Sequence, residues 1–162
     1  MSTIRIVWGT GSGPTPMAAY DAALADANVH DYNLVRVSSV VPADADLVEA
    51  GTAPSLGAIG DRLTVVEARG TAVGPDRAGA SLVWGRRAGG AGLFYEASVS
   101  DAPPGEPPDA ERRASEGLAA GRTLREWEFV ETGARTVTVD PEPDDHGAAV
   151  VVAVYGRGDP IC

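Results

Sequence analysis

The run AAVVVAVY, Ala148 to Tyr155, holds eight apolar residues without a break. It is far too short to cross a bilayer, which takes about 20 apolar residues in a helix. Its β-branched content makes it a buried strand instead, and the rest of the chain must supply the cover. At 162 residues the length fits a single domain, 1–162, with a core of useful size.

The cover is mostly more strand. TIRIVW (Thr3–Trp8), the segment from Asn33, LTVVEARGTAV from Leu63, ASLVWG from Ala80 and GLFYEASV from Gly92 all read as strands. EWEFVE and ARTVTVD add two more, and the acidic loop PEPDDHG joins the latter to AAVVVAVY. Two stretches break the pattern. PMAAYDAALADANV predicts a helix with Thr15 as N-cap and Pro16 in the first helical position, and Met17, Tyr20, Ala23 and Leu24 on one face. A second helix spans about Asp109 to Arg122, after the proline-rich link DAPPGEPPDAE. A glycine-rich turn, GTGSGPTP, and a loop running through Pro54–Gly57 complete the plan. Strands in runs with two intervening helices predict an α+β fold with the helices outside the sheets.

The charge is −10, and all 13 basic residues are Arg. The acidic balance argues against nucleic acid as a partner, since a binder needs basic groups to replace phosphate counterions. Abundant carboxylates without lysine suit a salt-rich cytoplasm, where counterions screen the self-repulsion. The expected location is cytoplasmic: MSTIRIVWGTG reads as no secretory leader, and no membrane segment stands out. Without lysine there is no internal aldimine with pyridoxal phosphate and no P-loop. Any carbonyl–amine chemistry needs another carbonyl.

The ordinary site motifs fail one by one. Gly9, Gly11 and Gly13 give GxGxG rather than GxGxxG, and Pro14 and Pro16 remove amide donors, so a tight turn outweighs a dinucleotide loop. His30 and His146 stand at no ligand spacing from each other or from Cys162, so no metal is expected. No GxSxG elbow surrounds any serine. What remains is NLVRVSSVVPADAD, where Ser38 and Ser39 sit adjacent within an aliphatic strand-like run. Two serines closing a strand are usually nothing more. Buried among aliphatics, however, such hydroxyls need partners, and Asn33 lies upstream as a possible donor to an oxyanion. A serine hydroxyl can attack the preceding carbonyl, exchange the peptide for an ester and eliminate. The result is a chain ending at Ser38 and another starting with a pyruvoyl group made from Ser39, which supplies the missing carbonyl.

The residues NLVRVSSVVPADADLV, with GPTPMAAYDAALADANV upstream and GLFYEASV and REWEFVE downstream, resemble the pyruvoyl-dependent arginine decarboxylases across nearly the whole chain. The resemblance implies a four-layer αββα sandwich that self-cleaves into a 1–38 and a 39–162 chain, assembles as a homotrimer, and has active sites between subunits. It implies the cofactor (a pyruvoyl group from Ser39), the substrate arginine held as a Schiff base, and the product agmatine. It also implies roles: Asn33 beside the cleavage site, Glu96 as the catalytic acid, and Asp21, with Ser38, in substrate binding. Delivery of a proton by Glu96 calls for partial burial among Leu93, Phe94 and Tyr95, and Asp21 suits a guanidinium through paired charge-assisted hydrogen bonds. Two alternatives stay open: a pyruvoyl decarboxylase for another cationic amino acid, and an uncut, non-catalytic assembly subunit of the same fold.

Overall fold

The computed structural model describes residues 2–162. Nine strands and two helices follow in the order β1 (Thr3–Gly13), α1 (Pro16–Asp26), β2 (Asn33–Arg36), β3 (Val40–Val41), β4 (Asp46–Gly51), β5 (Arg62–Val73), β6 (Arg77–Arg87), β7 (Gly92–Ala102), α2 (Ala110–Arg125), β8 (Phe129–Val139) and β9 (His146–Asp159). They build an α+β fold with two sheets, ordered β2-β5-β9-β1-β4 and β3-β7-β6-β8. The AAVVVAVY run is the middle of β9, the central strand of the larger sheet, antiparallel to β1 and β5.

Alternation along β9 explains why that run has no polar residue. Ala148, Val150, Val152 and Val154 face one core, shared with Ala19, Ala23 and Leu24 of α1. Ala149, Val151 and Ala153 face a second core, shared with Leu82, Trp84 and Phe94 of the smaller sheet. Both faces of the strand are dry, so a period-2 pattern of polar residues has no place in it.

The glycine-rich segment is strand, not turn. Gly9, Gly11 and Gly13 all lie within β1. A Cβ at Gly9 would meet the Ala23 carbonyl, one at Gly11 the backbone of Ala22 and Ala23, and one at Gly13 would approach Ala18 Cβ to 2.9 Å. The glycines therefore let α1 lie directly on the sheet, backbone against backbone. For the same reason α1 buries Ala19, Ala23 and Leu24, while Met17, expected on the buried face, is 66% exposed. The predicted cap holds: the Thr15 side chain accepts from the Ala18 amide at 3.1 Å.

Three further expectations shift. β4, expected as loop, pairs parallel with β1 at the sheet edge, where Asp46 and Glu49 can stay in water. The two strands expected from EWEFVE and ARTVTVD are one strand, β8, entered after α2 ends at Glu126 in the left-handed conformation (φ 54°). Helix α2 also runs to Arg125, three residues beyond the expected end. No helix among the described residues is long and apolar enough to cross a membrane.

Candidate active site

The strand expected to run unbroken from Asn33 through the serine pair is broken at the pair. β2 belongs to the larger sheet, parallel to β5, and β3 to the smaller one, antiparallel to β7. Val37, Ser38 and Ser39 form the link between the two sheets. The Val37 amide still donates to the Val65 carbonyl of β5 at 3.0 Å, whereas the Ser39 carbonyl already accepts from the Phe94 amide of β7 at 2.8 Å. The crossover thus takes place within two residues, and small side chains suit that turn.

The link is tightly specified. The Val40 amide donates to the Ser38 carbonyl at 2.9 Å, a three-residue turn with Ser39 at its centre. The Ser39 hydroxyl donates to Glu96 Oε2 at 3.0 Å. From β9 the Tyr155 hydroxyl donates to the Val40 carbonyl at 2.9 Å, and its ring packs edge-on against Phe94, centroids 6.3 Å apart. Burial, together with the negative charge of Glu96, pushes the Tyr155 phenol up to about 12, so it remains a neutral donor.

The serines open into a cleft of about 430 Å³ lined by Ser38, Ser39, Val40, Leu93, Phe94, Tyr95, Glu96 and Arg125. Glu96 also lines a second cleft of about 390 Å³, with Arg36, Glu67, Arg69 and Ser98. There the Glu67 carboxylate, its side chain fully covered, accepts from Arg36 at 2.6 Å and from the Tyr20 hydroxyl at 2.6 Å. The Arg69 guanidinium lies 4.2 Å from the Tyr20 ring centroid. This network ties α1, β2 and β5 together two residues upstream of the serine pair, and its polar groups satisfy one another.

A family model described as pyruvoyl-dependent arginine decarboxylase matches residues 3–160. A pyruvoyl-dependent arginine decarboxylase of Halobacterium salinarum is 55% identical over 161 residues, covering 99% of this chain and 98% of the relative. Another, of Methanopyrus kandleri, is 35% identical over 154 residues, covering 94% and 95%. One of Methanocaldococcus jannaschii shares 40% identity over 47 residues, 29% of this chain and 28% of the relative. The chain belongs to the pyruvoyl-dependent arginine decarboxylase family.

Of the residues singled out from the sequence, one chain brings three together: Ser38, Ser39 and Glu96. Glu96 is exposed rather than tucked among Leu93, Phe94 and Tyr95. The reason is that β3 covers β7 only at Gly92 and Leu93, leaving the edge open beyond Phe94. Asn33 begins β2, five residues before Ser38 and about 16 Å away along an extended chain. Its amide donates to the Gly60 carbonyl at 2.7 Å, so in one chain it does not reach the pair. Asp21 lies exposed on α1 and lines neither cleft. Two residues close to the serine link were not singled out from the sequence. Arg125 ends α2, donates to the Gly121 carbonyl and reaches the serine cleft. Tyr155 is the first residue of the AAVVVAVY run with a polar tip, which was the available signal.

Proposed function

We propose that this protein decarboxylates L-arginine to agmatine with a pyruvoyl group made from its own Ser39. One observation carries the reading: in a chain of this family, the Ser39 hydroxyl meets Glu96 at the joint between the two sheets, inside an open cleft. Ser39 Oγ attacks the Ser38 carbonyl carbon and exchanges the peptide for an ester. Loss of the Ser39 Cα proton with cleavage of Cβ–Oγ then frees the Ser38 carboxylate. The resulting dehydroalanine tautomerises, takes up water and releases ammonia, leaving fragments 1–38 and 39–162. The pyruvoyl group, when formed, would supply a ketone for the substrate amine and, with the adjacent amide carbonyl, a sink for the electron pair left by carbon dioxide.

The remaining work falls to side chains. Glu96 is placed to take the Ser39 proton during the cut and to deliver a proton to the substrate Cα during turnover. The outward layers are α1 on the larger sheet and α2 on the smaller, which supports an αββα order. In this reading the working form is a homotrimer, as the resemblance implies. An exposed Asp21 outside its own cleft fits that arrangement, because a neighbouring copy can bring it to the guanidinium. The same contact would cover Glu96. The resemblance gives Asn33 a supporting role at the cut, while its own chain holds it on the Gly60 carbonyl; its expected signature is a lowered turnover in Asn33→Ala. A salt-rich cytoplasm remains the proposed setting.

Mass analysis of the purified protein tests this directly. Two fragments divided between Ser38 and Ser39 are expected, the larger with a blocked N-terminus, along with agmatine and carbon dioxide from arginine. Ser39→Ala should stay whole and inactive. An intact wild-type chain that is still active on arginine would end the proposal.

A further inference from the structure

The hydrogen bonds around the serine link form a chain of their own. The Phe94 amide donates to the Ser39 carbonyl, and across the same peptide plane the Val40 amide donates to the Ser38 carbonyl. A trans peptide points its C=O and N–H in opposite directions, so gripping one end aims the other. Hydrogen bonds coupled through one peptide polarise each other, which strengthens the Val40 donor where it meets Ser38. Ser39 is not among the residues with positive φ, so the turn is the common inverse form. The Val40 carbonyl, on the next peptide, is held by Tyr155 across the sandwich.

We propose that the Val40 amide is the oxyanion donor for self-cleavage and that Tyr155 is the residue that positions it. The inference rests on the self-cleavage reading above and adds the groups that stabilise its first step. In that step a bond forms between Ser39 Oγ and the Ser38 carbonyl carbon. The carbonyl π pair moves onto the Ser38 oxygen, and the Oγ proton passes to Glu96. The charge then sits on the oxygen that Val40 N–H already contacts at 2.9 Å before attack, so a donor is aimed at it as the charge develops. When the C–N bond breaks, the pair returns to the carbonyl and the Ser39 nitrogen takes the proton from Glu96. Asn33, held by Gly60 in one chain, is not required for this donation. Tyr155 reaches the turn from the central strand of the opposite sheet, so sandwich closure and competence to cut are coupled. A chain whose sheets have not docked lacks the Tyr155 contact, so the Val40 carbonyl is unheld while the Phe94 amide still grips the Ser39 carbonyl.

The experiment follows full-length chain from cell-free translation by mass spectrometry over time, with and without hydroxylamine, which cuts esters. Tyr155→Phe keeps the ring on Phe94 and loses only the hydroxyl; it should cut at least tenfold more slowly than wild type. Hydroxylamine should not restore its rate, because the block precedes the ester. Val40→Pro removes the amide at the first residue of β3, where proline is tolerated, and should not cut in the same period. Should Tyr155→Phe melt early, Val40→Pro carries the test. Cutting of either variant at the wild-type rate would overturn the inference, as would hydroxylamine releasing fragments faster from Tyr155→Phe than from wild type. A wild-type chain that never cuts would instead remove the function reading itself.

Discussion

At the residue scale the proposed chemistry is tested through Glu96 and Asp21. Gln in place of Glu96 still accepts from the Ser39 hydroxyl but cannot hand over a carboxylic proton. Glu96→Gln should therefore still be cut, more slowly, while kcat falls by roughly 10²–10⁴-fold; normal turnover of the processed variant would clear Glu96 of the role. Asp21→Asn removes the charge from the proposed guanidinium contact, so KM for arginine should rise at least tenfold with processing unaffected. Unchanged arginine affinity would take Asp21 out of the site. Tyrosine ionisation gives an independent reading of the same neighbourhood. Burial pushes both Tyr20 and Tyr155 up to about 12, helped at Tyr20 by the Glu67 hydrogen bond and at Tyr155 by the charge of Glu96. A folded pKa above the unfolded value near 10 means that this stability is fully present below pH 10 and is lost as pH rises toward 12. Alkaline unfolding should begin in that window, and an ultraviolet titration should find two tyrosines ionising late; Tyr155→Phe should remove one of them.

At the scale of elements, the decisive contact is α1 against β1. Three glycines of the strand meet a row of alanines, Ala19, Ala23 and Ala27, all buried. Flexible side chains can yield to an extra methyl, but Gly11 faces the backbone of Ala22 and Ala23, which cannot. Gly11→Ala should cost about 1–3 kcal/mol, seen as a lower denaturation midpoint at constant slope. An unchanged midpoint would mean that the helix does not sit so close. The GxGxG spacing was visible in the sequence, but its meaning was not. In a strand, period 2 sends three such glycines to one face, whereas a turn reading gives them no common neighbour. The strand from Asn33 to Val41 likewise read as one element, because aliphatic residues continue past the serines. Only the partner strands, β5 on one side and β7 on the other, divide it.

At the scale of the whole molecule, the net charge of −10 sets the response to salt. Exposed pairs such as Arg62–Asp159 (3.0 Å) and Arg135–Glu49 (2.9 Å) contribute little individually, so screening them costs less than screening the excess of carboxylates gains. With a Debye length of about 3 Å at 1 M salt, the melting midpoint should rise from 0.1 to 2 M KCl. A flat or falling midpoint would disconnect the acidic surface from a saline setting.

Much was decided before folding. The apolar run read as a buried strand, since it is rich in β-branched residues and no polar residue interrupts it. The capping of α1 by Thr15 is local chemistry, and the absence of lysine excludes a side-chain amine everywhere in the chain. The motif around Ser38 and Ser39 also carried the family, because a rare local pattern survives without knowledge of distant contacts. The resemblance already joined Glu96 to the serines; what the tertiary structure alone decided is the contact itself and the part played by Tyr155. Glu96 lies 57 positions from Ser39 and Tyr155 lies 115 from Val40. No local rule predicts such pairs, because they exist only where two sheets close on one another and the chain crosses between them.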